Sequence, residues 1–198
     1  VPWIYSIAPF LLLRPYEQIR NDVCLHNLPV KLVGNGGGYG YGIMGATHHT
    51  LEDIAIMRVL PNMKVFVPLT AADVEVAVLQ MVKDPSPNYL RLNYGIKTDS
   101  SIVEFKQWRK IRDGKQGVVI GAGPVLGNIL ELDDDLEVWS VGIFPFSELP
   151  KELVASVKRQ RKLLTIDEHY GQCGLNEAVA RLLICELDNK IDYRSICA

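Results

Sequence analysis

The residues best suited to chemistry gather in one stretch, GNGGGYGYGIMGATHHTLED, residues 34–53. Glycines at 34, 36, 37, 38, 40, 42 and 45 permit backbone angles closed to other residues and let the main chain approach a ligand closely. Lying between a short apolar segment and a helical pattern, such a loop is where α/β proteins bind ligands. His48 and His49 fall just ahead of the expected helix start at Thr50, where an imidazole can project into a cleft. The same spacing suits a flexible surface loop with two solvated histidines, and spacing alone leaves both readings open. A metal site built on His48, His49 and Glu52 is rejected. Adjacent histidines do not readily face one ion, and no third ligand stands at a recognisable spacing.

Alternating elements must hold that loop in place. Residues 15–27 read as a helix, with Ile19, Val23 and His26 on one stripe and Pro15 in its first turn. VKLVG (30–34) is a short buried strand, and Thr50 to Val59 is a helix that Thr50 can cap and that Glu52 and Asp53 favour. Strands follow at Lys64–Pro68 and Asn88–Leu92, with a helix from Ala71 to Val82 between them. A more polar, irregular segment reads as a linker over 99–116. Beyond it VVIGAG, LEVWSV and KLLTID read as strands, with helices expected at 124–132, 151–161 and 175–187. The pattern predicts two consecutive α/β domains, 1–98 and 117–198, each with a largely parallel sheet. The crossover that ends in the acidic run at Asp133 is short for parallel strands and suggests missing residues there.

Composition sets wider limits. With 48% apolar and 22% charged residues, the 198-residue chain can bury a core, and a net charge of −2 argues against a general nucleic-acid binder. No apolar run reaches membrane-spanning length. The opening VPWIYSIAPFLLL lacks a basic leader and a cleavage site, so it does not read as a signal peptide. Starting without Met in what reads as a buried element, the sequence suggests a fragment. Cys24, Cys173, Cys185 and Cys197 form no CxxC pair, which fits free thiols in a reducing, cytoplasmic setting. GAGPVLGN after VVI imitates a dinucleotide fingerprint, but LEVWSV ends without the acidic residue that would hold a ribose, so a close-packed turn is the better reading.

Several segments together resemble the transketolase family. GATHHTLEDIAIMRVLPNMKVFVP resembles the family's G-x-T-H, E-D-I-A and P-N-M run, and YSIAPFLLLRPYEQIR its cofactor-stacking helix. PNYLRLNYG, VVIGAGPVLGN, LEVWSV and TIDEHYGQCGLNEAVA continue the likeness in order over nearly the whole chain. The resemblance implies a carboxy-terminal half or subunit: a pyrimidine-binding domain followed by the transketolase carboxy-terminal domain. It implies thiamine diphosphate as cofactor, with Mg²⁺ and the diphosphate held by a separate amino-terminal subunit or domain, in a homodimer or heterotetramer. The substrates would be sugar phosphates or modified sugars, and the reaction transfer of a ketol unit.

Carried over by residue, Phe10 and Tyr16 match ring-stacking positions, and Leu13 stands where many relatives have a third aromatic. His48 matches the histidine over the cofactor's reactive carbon. There it could bond a substrate hydroxyl or a developing oxyanion. His49 falls beside it, and Arg91 matches an arginine that contacts a substrate phosphate. Met44 replaces an aspartate that reads a sugar hydroxyl, and a second family histidine aligns near Gly36. Losing both polar groups suggests a less hydroxylated or otherwise modified sugar. The glutamate that drives the pyrimidine through its imino form would lie before Val1. Asp167, Glu168 and His169 are expected to be structural. Deoxyxylulose-phosphate synthases share the pattern at Tyr5, Ser6, Arg14, Tyr16, Glu17 and Gln18, and the β subunits of 2-oxoacid dehydrogenases share the domain pair. LEDIAIMRVLPNM favours the transketolase branch. From a different class, a non-catalytic assembly chain that keeps the fold is the remaining alternative.

Overall fold

The computed structural model describes residues 1–94, 104–132, 135–187 and 190–198. The strands, in chain order, are β1 (Trp3–Ile7), β2 (Lys31–Asn35), β3 (Lys64–Phe66), β4 (Asn88–Leu92), β5 (Trp108–Arg112), β6 (Val118–Ala122), β7 (Glu137–Val141), β8 (Ile143–Phe144), β9 (Lys162–Asp167) and β10 (Asp192–Ile196). Helical segments are α1 (Ala8–Leu12), α2 (Tyr16–Gln18), α3 (Asp53–Arg58), α4 (Ala71–Lys83), α5 (Gly127–Leu130), α6 (Lys151–Gln160) and α7 (Leu175–Leu183). Two five-stranded sheets result, ordered β1-β2-β4-β3-β8 and β10-β9-β6-β7-β5. Within each, four strands run parallel and the last is antiparallel. The expected α/β class with two mostly parallel sheets is therefore what the chain adopts.

Two short strands cross the expected boundaries. The segment read as a linker over 99–116 contains β5, which pairs antiparallel with β7; its residues 99–103 lie outside the described set. Its Trp108 is half-buried against Phe146 and its Arg109 is buried on Asp73, which irregular polarity along the sequence concealed. β8 follows β7 by a single glycine but leaves its sheet to pair antiparallel with β3 of the first. Both halves consequently share one hydrophobic cluster that joins Leu32, Val65 and Tyr89 to Val118, Trp139 and Leu163. The short crossover from β6 to β7 is parallel, made by one tight turn at Pro124–Leu126 and α5; the suspected gap falls on residues 133 and 134, outside the described set.

Helix edges also differ from the pattern. Only α2 of the expected 15–27 helix is α-wound, and Ile19–Cys24 is a wider π turn with the Leu25 N–H bonding Arg20 O. That winding turns Ile19 and Cys24 inward, five residues apart, and leaves His26 exposed. Thr50 does not cap α3. Its backbone is held in a bridge to Gly38, its hydroxyl has no hydrogen-bond partner among the described residues, and the helix begins at Asp53. α4 behaves as a capped helix should: Thr70 and Asp73 form a reciprocal capping box, and Pro85 follows its end.

Asp73 does a second job. Its carboxylate takes both terminal nitrogens of Arg109 from β5, tying the helix of the first sheet to the strand of the second with both side chains nearly fully buried. Burial alone would raise the Asp73 pKa. Hydrogen bonds and charge from Arg109, with the Leu69 and Thr70 N–H groups, reverse this and hold it below its ordinary 3.8. A carboxyl depressed in the fold stabilises above its unfolded pKa and loses that contribution as pH falls through the folded value. Asp73→Ala is expected to cost about 3–5 kcal/mol by taking the Asp73 carboxylate away from the buried Arg109. Urea unfolding at pH 7 should show this loss, and the wild-type advantage should shrink steadily as the buffer is acidified below pH 3.8.

Candidate cofactor and substrate site

Three chain segments converge where the parallel strands of the first sheet end: α1 after β1, the glycine loop after β2, and Asn93 after β4. That edge is the usual ligand-binding end of an open α/β sheet. In α1, Ala8, Pro9, Leu11 and Leu12 are drawn into the core. Phe10 is left half-buried on the open side, with Leu13 and Arg14 exposed at i+3 and i+4. The Arg14 guanidinium carbon sits 4.5 Å from the Phe10 ring centre.

Positive φ at Gly36, Gly38, Gly42 and Gly45 curls the loop back on itself. A Cβ on Gly36 would strike the Tyr41 ring at 2.1 Å, and one on Gly38 would strike the Glu168 carboxylate at 2.4 Å. A paired backbone bridge, Gly38 N–H to Thr50 O at 2.8 Å and Thr50 N–H to Gly38 O at 3.0 Å, closes the loop. At its tip, Ile43 and Met44 are exposed, and added Cβ atoms at Gly42 and Gly45 would meet open space.

The two histidines take different parts. His48 packs edge-on against Phe10 at 5.1 Å and against Tyr41 at 5.9 Å, with Nδ1 2.9 Å from the Thr47 hydroxyl. When that hydroxyl donates to Nδ1, Nε2 carries the ring proton and can donate to a ligand oxygen. His49 turns inward on the loop instead. Its Nε2 lies 2.8 Å from Gly42 O, so that nitrogen must be the protonated one, and its ring meets Tyr39 edge-on at 5.1 Å. Asn35 donates to the Tyr41 hydroxyl at 3.1 Å and steadies the wall beside His48.

Residues 1–95 match the family described as transketolase, pyrimidine binding domain. These residues are similar to the pyrimidine-binding domain of transketolases. The whole chain aligns with a solved split-gene transketolase described as an inactive beta4 tetramer, at TM-score 0.79 and 28% identity, over 100% of this chain and 67% of that one. Among curated relatives, the 1-deoxy-D-xylulose-5-phosphate synthase of Thermus thermophilus is 29% identical over 91% of the chain and 30% of that protein. One of the subunits of the apulose-4-phosphate transketolase of Actinobacillus succinogenes is 27% identical over 90% of the chain and 60% of that protein. The chain thus spans about a third to three fifths of the relatives' length, and identity alone does not separate the synthase branch from the transketolase branch.

Set against the pyrimidine-binding domain, the expected site residues divide. Phe10, Leu13, His48, His49, Met44 and Gly36 all belong to α1 or the glycine loop at the same sheet edge. Tyr16 does not join the Phe10–His48 cluster. Its hydroxyl donates to Ile56 O at 2.7 Å, and its ring lines a different cleft, with Arg58 and Phe146. The reason is local: Pro15 breaks the helix between Leu13 and Tyr16, so the i+6 position turns toward α3.

Arg91, expected to face a substrate phosphate, is largely engaged by the fold through Nε and Nη2 and also lines a small cleft with Thr70 and Asn93. It is only 3% exposed, with Nε on Asp53 at 2.8 Å and Nη2 on Thr50 O at 3.2 Å and Glu168 O at 2.8 Å. Asp53 also accepts from the Tyr89 hydroxyl at 2.8 Å, and burial pushes the Tyr89 pKa well up. Sequence reasoning missed this triad because Asp53 looks like a helix-start carboxylate. Its one legible sign was the odd-numbered pair Tyr89 and Arg91, which share one face of β4. Tyr41 was missed as well, since it carries no motif, and Arg14 was noticed only as part of a pattern shared with deoxyxylulose-phosphate synthases, not as a partner of Phe10.

Glu168 and His169 tie the second half of the chain to the first, and Asp167 beside them accepts the Leu175 N–H. Glu168 Oε2 accepts from Asn93 at 2.8 Å; the buried His169 accepts the Ala55 N–H on Nε2 at 3.2 Å and donates from Nδ1 to Tyr170 O at 2.7 Å. Burial raises the Asp167 pKa, against the Leu175 N–H and the influence of His169, Arg91 and Arg58; its Oδ1 has no hydrogen-bond partner among the described residues. A carboxyl raised in the fold stabilises below its unfolded pKa and loses that contribution as pH rises through the folded value. Asp167→Asn is therefore expected to raise stability at pH 7 by about 1 kcal/mol. In a thermal scan that is about 2–4 °C, fading as the pH approaches 3.8.

Proposed function

We propose that this chain is the pyrimidine-side half of a thiamine-diphosphate-dependent transferase that moves a ketol unit between sugar substrates, and that it works only with a diphosphate-binding partner. The observation that carries the reading is the Phe10–His48 pair at the ligand end of a domain similar to the pyrimidine-binding domain of transketolases. The cofactor's ring fits what is present: an aromatic face at Phe10, an exposed apolar Leu13 and a glycine tip that opens to space. For its Mg²⁺, and the diphosphate bound through it, the residues present offer no holder: among the described residues no cluster of three His, Cys, Asp or Glu could hold a metal. We assign those to the partner. When bound, the cofactor supplies the carbanion chemistry, and the protein supplies orientation and charge.

Within that division, Phe10 gives the ring a flat surface and His48 Nε2 donates toward the substrate's oxygen as negative charge develops. His49 holds the loop by its bond to Gly42 O and keeps its neighbour aimed outward. At the tip, Ile43 and Met44 present apolar surface where a sugar would enter, which favours a substrate with fewer hydroxyls or a modified carbon. The neighbour described as an inactive tetramer of one subunit accords with a chain that is silent alone. The test is reconstitution with the partner, cofactor and Mg²⁺. Efficient turnover of xylulose 5-phosphate with ribose 5-phosphate would refute the modified-sugar reading. Pyruvate condensation with an aldose phosphate would instead place the enzyme in the synthase branch, which the sequence likeness supports about equally.

A further inference from the structure

A second cleft, of about 470 Å³, lies between α3, the segment after β8 and the turn that opens α7. Tyr16, Ile56, Pro145 and Phe146 form its apolar wall, and Arg58, Arg181 and Cys173 its polar one. None of the Phe10–His48 cluster takes part. The wall is preorganised: the Tyr16 hydroxyl is fixed to Ile56 O, and Phe146 is held edge-on by Trp108 at 4.8 Å.

Arg58, half-buried in the last turn of α3, makes no hydrogen bond or ion pair among the described residues. Burial lowers its pKa, and the nearby Arg181 pushes the same way, while Cys173, Glu177 and Asp167 act against this. Of those, Glu177 accepts the Cys173 N–H at 2.8 Å, and neither it nor Asp167 bonds Arg58 directly among the described residues. The half-buried Arg58 and the exposed Arg181 thus line one cleft. Their planar, multi-donor geometry suits the oxygens of a phosphate dianion.

We propose that this cleft binds a small organic phosphate, its anion between Arg58 and Arg181 and a flat apolar body against Tyr16 and Phe146. Its walls come from both α/β halves, so an occupant joins them and stabilises the folded chain by mass action.

Phenyl phosphate and inorganic phosphate, titrated calorimetrically into the complex with its partner subunit, test the assignment. Phenyl phosphate should saturate one site and bind about tenfold tighter than inorganic phosphate, because its ring buries apolar area. Arg58→Met and Arg181→Met should each weaken it by about tenfold or more, the worth of one charge-assisted hydrogen bond. His48→Ala should leave it unchanged, which separates this cleft from the sugar site. Alkylation by iodoacetamide gives an independent reading that survives if an arginine variant folds poorly. Phenyl phosphate should slow modification of the exposed Cys173 in the unmodified sequence while the exposed Cys185 reacts as before. Absence of saturable binding overturns the proposal, as does binding that neither arginine substitution weakens and that leaves Cys173 alkylation unchanged. Equal affinity for the two probes overturns the apolar half of it.

Discussion

Arg91→Met should destabilise the chain by about 3–5 kcal/mol, because it leaves the Asp53 carboxylate buried without its counter-charge. Asp53 is fully buried and would keep only the Tyr89 hydroxyl as a hydrogen-bond donor from a side chain. Arg91→Lys should recover little. A single ammonium cannot hold Asp53, Thr50 O and Glu168 O in the plane that the guanidinium spans. Replacing both partners, Asp53→Leu with Arg91→Met, should cost much less than the sum of the single changes, the mark of a coupled buried pair. Urea unfolding of the four variants measures this directly. The competing role, contact with a substrate phosphate, predicts the reverse: Arg91→Met would raise KM and leave the unfolding midpoint where it was. Damage should also reach the site, since Thr50 anchors the bridge that closes the glycine loop.

His48→Ala is the second large effect, of a different kind. Loss of an aligned proton donor or acceptor costs about 10²–10⁴ in turnover. His48 is half-exposed and touches its neighbours by ring edges, so the fold should hold within about 0.5 kcal/mol. Steady-state kinetics of the reconstituted enzyme should therefore show kcat falling with cofactor affinity nearly unchanged. His48→Gln, which keeps a donor, should retain more activity than His48→Ala. Equal activity of His48→Ala and the unmodified chain would remove the imidazole from the chemistry.

How far the sequence disclosed this depends on what each residue's neighbours are. Parallel α/β architecture was legible because apolar strands alternate with helical stretches, and the glycine loop because a run of glycines marks positive φ values that L side chains rarely adopt. Phe10 and His48 were legible only together with their surrounding motifs. Tyr16 misled because its spacing from Phe10 ignores the break at Pro15, and Thr50 because a helix-capping residue can instead join a backbone bridge. β5 and β8 were invisible for another reason. Each is short, and each is made a strand by a partner far away in sequence, β7 and β3, whose pairing leaves no periodic trace. The Asp53–Tyr89–Arg91 triad and the Asp73–Arg109 pair have the same character: charged residues that look like surface until the fold brings their partners in.

The central claim, that this chain forms one wall of a thiamine-diphosphate site and needs another chain for the rest, is best tested by calorimetry. Thiamine diphosphate with Mg²⁺ would be titrated into the full-length protein, alone and with its diphosphate-binding partner. Saturable binding only in the presence of the partner, weakened by Phe10→Ala, is the expected result. No binding under either condition would contradict the account and leave the chain a scaffold that keeps the fold of a pyrimidine-binding domain without its use.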